Sequence, residues 1–569
     1  MKKSIAILFI ILFSACKQTY CDTVYYNGAI LTMEADHPQA EALAVKDGKI
    51  IFVGDWTKAQ KLIGKNTVQI DLKSKALMPG FIDVHSHITS SAGMMQAVDL
   101  APSPYGKVNS IENLQLVLKE HINNEKIALN TPILGNGYDD AIMEEHRHPT
   151  RWELDAVSST NPIMVIHTSG HASVANSAML KLLGINEDVK DPEGGHYGRD
   201  KNTNKLNGKL EENACFTALM KLTSFLPKSP STNGLSQELT SFLKAQDQWL
   251  SYGQTTICDG RTMGVGLDLL KEAAAKGLLK ADLVYFPDYE ANKQNVKEFI
   301  PHYMRYENRL KFAGFKFSND GSPQGKTAWL TQPYLVPPEG QTKDYKGFPI
   351  FTDEILYQDL KTVFSNGITA QLHVNGDAAI DQALRVISTL KNEGIYKSDL
   401  RATLIHVQNS RLDHIKKIKE IGVIPSYFSS HVYLWGDWHY SSVFGPERAA
   451  FISPAKAAKD ADIPFTIHHD APVTPPDLIT GVYAAVNRTT RSGMVLGPDQ
   501  RISTLDAFKA ITLNAAYQLQ EEKTKGSLKV GKLADMVILD QNPLKMDPRN
   551  IRNLQVLETI KEGKTIFKK

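Results

Sequence analysis

Apolar residues in the central part of the chain form short runs that alternate with segments of three- and four-residue apolar spacing. Eight short runs are typical of buried β-strands: residues 81–87, 255–259, 283–286, 314–318, 369–374, 403–407, 424–428 and 465–470. Helical spacing fills several of the intervals, namely 353–365, 378–392 and 413–420. Alternating strands and helices build a parallel sheet, and eight such units can close a ring. The pattern therefore predicts an α/β fold with a TIM-like (β/α)8 barrel.

Both ends of the chain carry a different pattern, made of short apolar runs and tight turns. Asn-Gly at 27–28 and Asp-Gly at 47–48 stand between such runs and are strong β-hairpin signals. The C-terminal segment repeats this style, and neither end is long enough to bury two faces alone. We therefore predict one small β-sandwich assembled from residues 16–78 and 526–569, with the barrel of residues 79–525 inserted between them.

A long excursion at about residues 101–250 follows the first predicted strand. It has its own apolar run at 162–166 and helical spacing at 235–250. Loops at the carboxyl ends of barrel strands usually build the active site. The excursion is therefore predicted to be a lid or substrate subdomain.

Composition narrows the possible partners. Across 569 residues, 64 lysines and arginines stand against 62 aspartates and glutamates. With no basic excess and no basic run interleaved with aromatic residues, nucleic-acid binding is excluded. A small-molecule partner is expected, and a homo-oligomer stays open.

The first residues predict export. Two lysines at 2–3, an apolar run at 5–13 and small residues before Cys16 resemble a bacterial lipoprotein signal. This predicts removal of residues 1–15, lipidation of Cys16 and a location on the periplasmic side of a bacterial membrane, held there by this lipid alone. An ordinary signal peptide cut nearby is the alternative. Three cysteines would remain as thiols, a scattered and odd set that argues against a disulfide framework: Cys21, Cys215 and Cys258.

Candidate chemistry begins at the end of the first predicted strand, with His85 and His87. Side chains alternate faces along a strand at about 3.3 Å per residue, so the two imidazoles point the same way from roots roughly 6.6 Å apart. Two rings so placed can bind one metal ion, although two unrelated histidines would give the same motif.

Similar side chains mark other predicted strands. Lys316 lies on the fourth, His373 on the fifth, His406 on the sixth and Asp470 at the end of the eighth. Barrel sites form from several strands at one face, so these groups are expected to meet. Imidazole and carboxylate ligands without cysteine suit zinc, and suit iron, manganese, cobalt or nickel less well. Packed core histidines and a salt-bridged Lys316 are the plainer alternatives.

These residues belong to a longer series of spaced motifs. The series comprises residues 77–87, 170–171, 176–177, 316, 320–322, 327–329, 373, 376–377, 406, 470–473, 488, 512, 514–516, 526–528 and 531–535. With it the sequence resembles the amidohydrolase superfamily from residue 22 to 567. More narrowly, it is similar to amidohydrolase family 3, which includes the N-substituted formamide deformylases.

The resemblance implies a metal-dependent hydrolase that cleaves a C–N bond, as in a non-peptide amide or formamide. It also implies one or two divalent ions, zinc first, on six ligands: His85, His87 and Asp470 for a first ion, His373 and His406 for a second, and a carboxylated Lys316 as a bridge. A metal-activated hydroxide would attack the carbonyl, and Asp470 would pass its proton to the leaving nitrogen. Asp470 and His406 are the residues assigned to catalysis.

Three departures from the family pattern leave the metal number and the substrate open. Ile405 replaces a usual Glu, His468-His469 replaces Gly-Ser, and Gly325-Lys326 replaces Ser-Arg. His468 lies on the same predicted strand face as Asp470, so its ring can crowd the site or act as an unusual ligand.

Four further residues are candidates for substrate binding: His171, Lys326, Trp435 and Arg488. Their alternatives are a surface histidine, packed loop aromatics and an arginine that ties a helix to a loop. Two other functions stay open. One is a mononuclear deaminase or cyclic-amide hydrolase in which Lys316 is structural, and the other is a lipid-anchored solute-binding protein without turnover.

Overall fold

The computed structural model describes residues 20–192, 194–222, 224–225, 234–338 and 340–569. The predicted signal segment and Cys16 lie outside these ranges. Within them, no helix combines the length and the apolar character that a membrane crossing needs. Cys21, Cys215 and Cys258 are buried free thiols, as their scattered spacing predicted.

All eight predicted central strands are present, arranged in two mainly parallel sheets. The first sheet contains Phe81–Ile82, Gln254–Thr262, Asp282–Pro287 and Leu310–Phe312, with Tyr306–Glu307 antiparallel at its edge. The second contains Phe315–Ser318, Ala370–Val374, Thr403–His406, Ile424–Tyr427 and Thr466–Ile467. The fold is therefore mixed α/β, as predicted.

The two sheets meet at residues 310–318. Leu310–Phe312 pairs with Asp282–Pro287, whereas Phe315–Ser318 pairs with Ala370–Val374. One extended segment thus belongs to both sheets, because the chain between its two halves passes through Gly314 at φ 145° and changes partner there.

At the opposite junction the first and eighth strands approach each other without a regular ladder among the described strands. The Asp470 amide donates to the His85 carbonyl at 3.3 Å, and the His87 amide donates to the Ala471 carbonyl at 2.7 Å. Phe81–Ile82 and Thr466–Ile467 have two residues each. Regular pairing of the described strands therefore gives two sheets, not the single closed ring that was predicted.

Helices connect and cover these strands. The larger ones are Ile88–Met94, Gln237–Ser251, Gly264–Ala275, Asp353–Ser365, Asp377–Asn392, Leu412–Ile421, Leu478–Asn487, Thr504–Ala510 and Leu513–Gln518. The predicted intervals 353–365, 378–392 and 413–420 match three of them to within one residue at each end.

Local sequence explains where these helices begin and end. The Thr352 side chain accepts a hydrogen bond from the Ile355 amide and caps Asp353–Ser365. That helix buries four apolar side chains at helical spacing, each contributing about 1.5–3 kcal/mol: Leu356, Leu360, Val363 and Phe364. Leu412–Ile421 ends at Gly422, whose φ of 82° is left-handed and favours glycine.

Strands from both chain ends form one eight-stranded sheet. Its members are Thr23–Leu31, Gln39–Lys46, Lys49–Gly54, Val68–Asp71, Ala76–Pro79, Met536–Leu539, Val556–Lys561 and Lys564–Lys568. Antiparallel pairing of Ala76–Pro79 with Met536–Leu539 unites the two ends. The predicted composite unit thus has its strands in one sheet, and its two-layered sandwich form stays a prediction.

One of the two predicted hairpin turns is wrong. Asp47-Gly48 does join Gln39–Lys46 to Lys49–Gly54. Asn27-Gly28, however, lies inside Thr23–Leu31, where the pairing register shifts after Tyr26. Asn27 takes a φ of 58° there, so the left-handed residue produces a bulge in a continuing strand.

The excursion has a six-stranded sheet of its own. Its strands are Val98–Asp99, Ile133–Tyr138, Ile163–His167, Ala172–Ala175, Gly195–Arg199 and Leu206–Glu212, accompanied by the helices Ile111–Asn124, Arg151–Asp155, Ser177–Leu182 and Asn213–Leu222. The predicted apolar run 162–166 corresponds to Ile163–His167, an inner strand of this six-stranded sheet. Gln237–Ser251 packs in the core of the central domain through Leu239, Phe242 and Trp249, although its sequence had been grouped with the excursion.

Candidate metal centre and active site

The predicted first group of ligands meets at the carboxyl ends of the first and eighth central strands. Asp470 Oδ1 lies 3.4 Å from His85 Nε2 and 3.2 Å from His87 Nε2. The backbone hydrogen bonds between the two segments fix this approach. One carboxylate thus faces two imidazoles whose sequence spacing already placed them on one side of a strand.

The predicted second group joins the same cluster. His373 Nδ1 lies 3.0 Å from His406 Nε2, and His406 Nδ1 lies 3.9 Å from Asp470 Oδ2. Lys316 Nζ lies 3.2 Å from His85 Nε2. Burial lowers the pKa of Lys316 to about 7, even though Asp470 opposes this effect. The structure therefore brings all six predicted ligands together.

The donor set fits a divalent metal ion. Asp470 Oδ1 is buried and accepts no hydrogen bond from any described residue. Burial holds the pKa of His85, His373 and His406 well below its usual value, which favours neutral rings with free lone pairs. His85 Nδ1 lies 3.1 Å from Gln371 Oε1, so Nε2 stays available as a ligand atom. A cation would satisfy both the orphan carboxylate oxygen and the lone pairs that face it.

His468 adds a further ring to this cluster. Its Nε2 lies 3.1 Å from His406 Nδ1, and its Nδ1 lies 2.9 Å from Ser426 Oγ. His469 points the other way, with Nε2 3.5 Å from Asp83 Oδ2. Strand alternation predicted this division, and it leaves His406 with an imidazole on either side.

A cavity of about 430 Å³ opens onto the cluster. His87, Lys316, His373, His406 and Asp470 form part of its wall. The excursion contributes polar and apolar residues to the wall, and the central domain contributes residues at other strand ends. They are Asn136, Thr168, His171, Phe216 and Leu219 from the excursion and Arg261, Met263 and Phe428 from the central domain. The arrangement can hold a small organic molecule with a polar group against the cluster and apolar groups against the excursion.

Comparison with known proteins decides the family. A model of the amidohydrolase family matches residues 69–567. The chain belongs to the amidohydrolase family. It is therefore a hydrolase that acts on carbon–nitrogen bonds other than peptide bonds, which sets aside the alternative of a binding protein without turnover.

Similar proteins match this amidohydrolase over nearly the whole length of both chains. It is 24% identical over 550 residues to the N-substituted formamide deformylase of Arthrobacter pascens, covering 95% of this chain and 97% of that one. An uncharacterized metal-dependent hydrolase from Pyrococcus horikoshii OT3 superposes with a TM-score of 0.70 at 25% identity, covering 92% and 99%. An adenosine deaminase from Xanthomonas campestris, solved with bound zinc, shares the fold with a TM-score of 0.51 at 15% identity, covering 96% and 93%.

The four residues assigned to substrate binding divide into two sets. His171 lines the cavity of the amidohydrolase, and its Nδ1 lies 2.8 Å from Glu212 Oε2. Lys326, Trp435 and Arg488 are not among the described residues that line it. Each of these three side chains has partners elsewhere, and their role in substrate binding stays a prediction.

Those partners are not among the described residues that line the cavity. Lys326 Nζ donates to Ser442 Oγ at 2.8 Å and lies 4.6 Å from the centre of the Trp438 ring. Trp435 Nε1 donates to Asp139 Oδ2 at 2.6 Å. Arg488 donates to the carbonyl oxygens of Leu496 at 2.9 Å, Ile452 at 2.7 Å and Ala450 at 3.0 Å. The structural alternative that the sequence left open thus describes Arg488.

Two residues that the sequence reasoning missed take part in the site. Arg261 lines the cavity and donates through Nε to Asp288 Oδ2 at 2.8 Å. It stands two residues after the predicted strand 255–259, at the strand end where site residues were sought, so this position was a usable signal. Asp320 accepts from the amides of Asn375 at 2.9 Å and Gly376 at 2.8 Å, which holds the segment after His373.

Proposed function

We propose that this amidohydrolase cleaves the C–N bond of a small non-peptide amide, such as a formamide or another N-acyl amine. One observation carries the proposal: an Asp470 oxygen without a donor lies among imidazoles at the wall of a cavity that has both polar and apolar sides. Similarity to an N-substituted formamide deformylase over nearly the whole chain supports this substrate class.

The proposed ligands are His85, His87 and Asp470 for one ion and His373 and His406 for a second, with zinc as the first choice of metal. A bound divalent ion would lower the pKa of a water molecule and would polarise the carbonyl that this water attacks. Asp470 takes the proton of the attacking water on its second oxygen, Oδ2, and delivers it to the leaving nitrogen. Since both reacting atoms must lie within hydrogen-bond reach of this carboxylate, the scissile bond is expected beside Asp470.

Lys316 is proposed to react with carbon dioxide and to bridge the two ligand groups as a carbamate. Its amine is buried beside His85, and its lowered pKa leaves a substantial neutral, nucleophilic fraction at neutral pH. Intact-mass measurement under bicarbonate tests this proposal. A mass increase of one carbon dioxide in the native chain, absent from Lys316→Arg, is expected, whereas an unmodified native chain would contradict it.

A mononuclear deaminase or cyclic-amide hydrolase is the second candidate. Two contacts favour it, because His468 and His373 each occupy one nitrogen of His406, at 3.1 and 3.0 Å. Such crowding can exclude a second ion. Metal analysis separates the two candidates, with two ions at the central cluster for the first and one for the second.

The remaining proposals concern architecture and location. We propose that the two central sheets act as one (β/α)8 barrel of residues 79–525, flanked by the composite domain and covered by the excursion as a substrate subdomain. We also propose export and lipidation at Cys16, with the enzyme on the periplasmic side. Cell fractionation tests the anchor: Cys16→Ser should move the protein from the membrane to the soluble fraction, and an unchanged distribution would contradict the anchor.

The decisive experiment is a substrate screen with the purified, metal-reconstituted enzyme. N-formyl amines, other N-acyl amines, cyclic ureas and amino-heterocycles would be offered separately, and released amine, acid and ammonia would be quantified. Amine with formate or another acid is the expected product pair. Ammonia release without acid, or ring opening of a cyclic urea alone, would favour the second candidate.

A further inference from the structure

The strand Gln254–Thr262 runs beside the first proposed ligands and brings Arg261 into the wall of the catalytic cavity. The Gly260 amide donates to the Ser86 carbonyl at 2.6 Å, between the two histidines of the first strand end. A Cβ atom at Gly260 would stand 2.3 Å from His85 Nδ1, so glycine is needed for this close approach. Arg261 therefore starts from a backbone that is in contact with the proposed metal centre.

Asp288 holds the inner side of the Arg261 guanidinium. Arg261 Nε donates to Asp288 Oδ2 at 2.8 Å. The other carboxylate oxygen, Oδ1, accepts from the Ala291 amide at 3.0 Å and caps the helix Tyr289–Asn292. The backbone of Asp288 also forms a parallel β-bridge with Lys316. Asp288 is thus fixed on two sides, and it fixes Arg261 next to the proposed bridging lysine.

The outer edge of the same guanidinium is available. The contact with Asp288 uses the Nε donor, and Nη1 and Nη2 donate to no acceptor among the described residues. The side chain is 39% exposed and lines the cavity. Two parallel N–H groups on a planar guanidinium match the two oxygens of a carboxylate.

Other arginines of the chain show what a purely structural role requires. Arg309 donates through Nη1 and Nη2 to Glu562 at 2.9 and 3.0 Å. Arg401 donates through the same two atoms to Glu522 at 2.9 and 2.8 Å. Arg261 differs from both, because its contact with a carboxylate uses Nε and leaves the fork of the guanidinium for an occupant of the cavity.

The charges around the cavity favour an anionic group. Of the described lining residues, Asp470 is the one with a carboxylate, whereas Arg261 and Lys316 are basic. Asp288 offsets part of the Arg261 charge, but both of its oxygens already accept hydrogen bonds from the chain. An acid group of a bound molecule would supply the missing acceptors without competing with Asp288.

We propose that Arg261 binds a carboxylate of the substrate, so that the enzyme prefers N-acyl amines that carry an acid group near the amide. N-acyl amino acids are the simplest members of this class. The inference rests on the proposed amide hydrolysis and narrows its substrate class. The side group of such a substrate would lie against the apolar part of the wall, which includes Phe216, Leu219 and Met263.

Matched substrates test this preference. N-formyl- and N-acetylphenylalanine differ from N-formyl- and N-acetylphenethylamine by the carboxylate alone. We expect the metal-loaded native enzyme to show a kcat/KM about 10- to 100-fold higher for the acids, mainly through a lower KM, because hydrogen bonds to a charged group are strong. Equal kcat/KM for acids and neutral amides would overturn this inference and leave the proposed amide hydrolysis intact.

Variants assign the preference to Arg261. Arg261→Gln should remove it while leaving kcat/KM for the neutral amides nearly unchanged. Arg261→Lys should keep part of it, because the charge remains and the planar fork is lost. An equal loss for acids and neutral amides in Arg261→Gln would show a structural role through Asp288 and would contradict the assignment.

Binding without turnover separates this inference from the proposed function. Ketone analogues of the two N-acetyl compounds, with a methylene in place of the amide N–H, cannot be hydrolysed, and calorimetry gives their Kd. The native enzyme should bind the acid analogue at least about tenfold more tightly, and Arg261→Gln should lose this advantage. Arg385→Gln is the matched control and should keep it, since Arg385 pairs with Asp353 on the surface and is 54% exposed. Equal affinity of native enzyme and Arg261→Gln for the acid analogue would overturn the inference, whether or not any amide is cleaved.

Discussion

The central cluster places five histidines and Lys316 around one carboxylate, that of Asp470, whereas the excursion cluster of Asp139, Asp140, His148 and His167 places two histidines beside two carboxylates. In the central cluster, imidazole nitrogens face each other at 3.0 and 3.1 Å, and Asp470 is the carboxylate that they share. In the excursion cluster, each histidine faces carboxylate oxygens instead. A ring proton or a cation can satisfy each of these nitrogen–nitrogen contacts, whereas His167, whose Nδ1 accepts from the Ser169 amide, carries its proton on Nε2 toward Asp140.

The two clusters also differ in what lies next to them. A cavity of about 430 Å³ reaches the central cluster, so a substrate atom can approach Asp470. In the excursion cluster, His167 is instead held between Asp139 and Asp140, and Trp435 Nε1 donates to Asp139 at 2.6 Å. Access to a cavity favours a catalytic task and a closed set of partners favours a structural one, which assigns the two clusters different tasks despite their similar chemistry.

Asp470→Asn is expected to have the largest effect. It keeps the shape of the side chain but removes the base, so kcat/KM should fall about 10²–10⁴-fold against a substrate found in the screen. Steady-state kinetics with metal-loaded protein measures this loss. Asp499→Asn, on the exposed surface, is the matched control and should retain native activity. An active Asp470→Asn enzyme would remove the distinction between a catalytic and a structural cluster.

His406→Asn should give the next largest effect and separate the clusters directly. The variant loses a proposed ligand of the second ion, and kcat/KM should fall about 10²-fold. His167→Gln should lower kcat/KM by much less, because it acts on the cavity through residues 168–171. Parallel kinetics and metal analysis of the two variants provide the measurement. If His167→Gln were the more damaging change to kcat, the assignment of tasks would be reversed.

Sequence periodicity predicted the central strands, and the proposed ligands were chosen from the ends of those strands. In the structure, His85, His87 and Asp470 lie three to five residues beyond the short strands Phe81–Ile82 and Thr466–Ile467, and their role as ligands stays a prediction. Two-residue alternation separated His468 from His469. These features depend on local geometry, so one sequence was sufficient to place them.

Features that depend on distant contacts were not predictable in this way. Arg488 could have faced a substrate, and its actual partners are carbonyl groups on segments near residues 450 and 496. The excursion cluster requires two strands to pair in parallel, which brings together Asp139 and His167. Asn27-Gly28 favours a left-handed conformation that serves a hairpin or a bulge equally, and sheet pairing selected the bulge.

Lys326→Met tests a buried charge that acts on Asp140 of the excursion cluster. Burial lowers the Lys326 pKa from 10.5 to about 8, so between these values the unfolded chain binds more protons and native stability rises with pH. Below pH 8 the native chain therefore bears the full penalty of a buried charge. The variant should be more stable there by about 2 kcal/mol, after allowance for the lost Ser442 hydrogen bond. Its free energy of unfolding should also change less with pH between pH 8 and 10.

Chemical denaturation at several pH values measures this difference. Lys343→Met, on the exposed surface, is the control and should follow the native profile. If the stability of Lys326→Met changed with pH as steeply as that of the native chain, Lys326 would stay charged over the whole range. Asp140 would then hold that charge, and the excursion cluster would have a counter-charge from the central domain.

Trp435→Phe is expected to have the smallest effect and tests how the excursion cluster is held. It keeps a buried ring but removes the Nε1 donor to Asp139, so the chain should lose about 1–2 kcal/mol of stability. Because that hydrogen bond holds Asp139 beside His167, the loss should exceed that caused by the same change at an exposed tryptophan. Trp152→Phe is the control, since Trp152 is 41% exposed, and chemical denaturation measures both variants. Equal stability of the two variants would mean that Asp139 is held in place without Trp435.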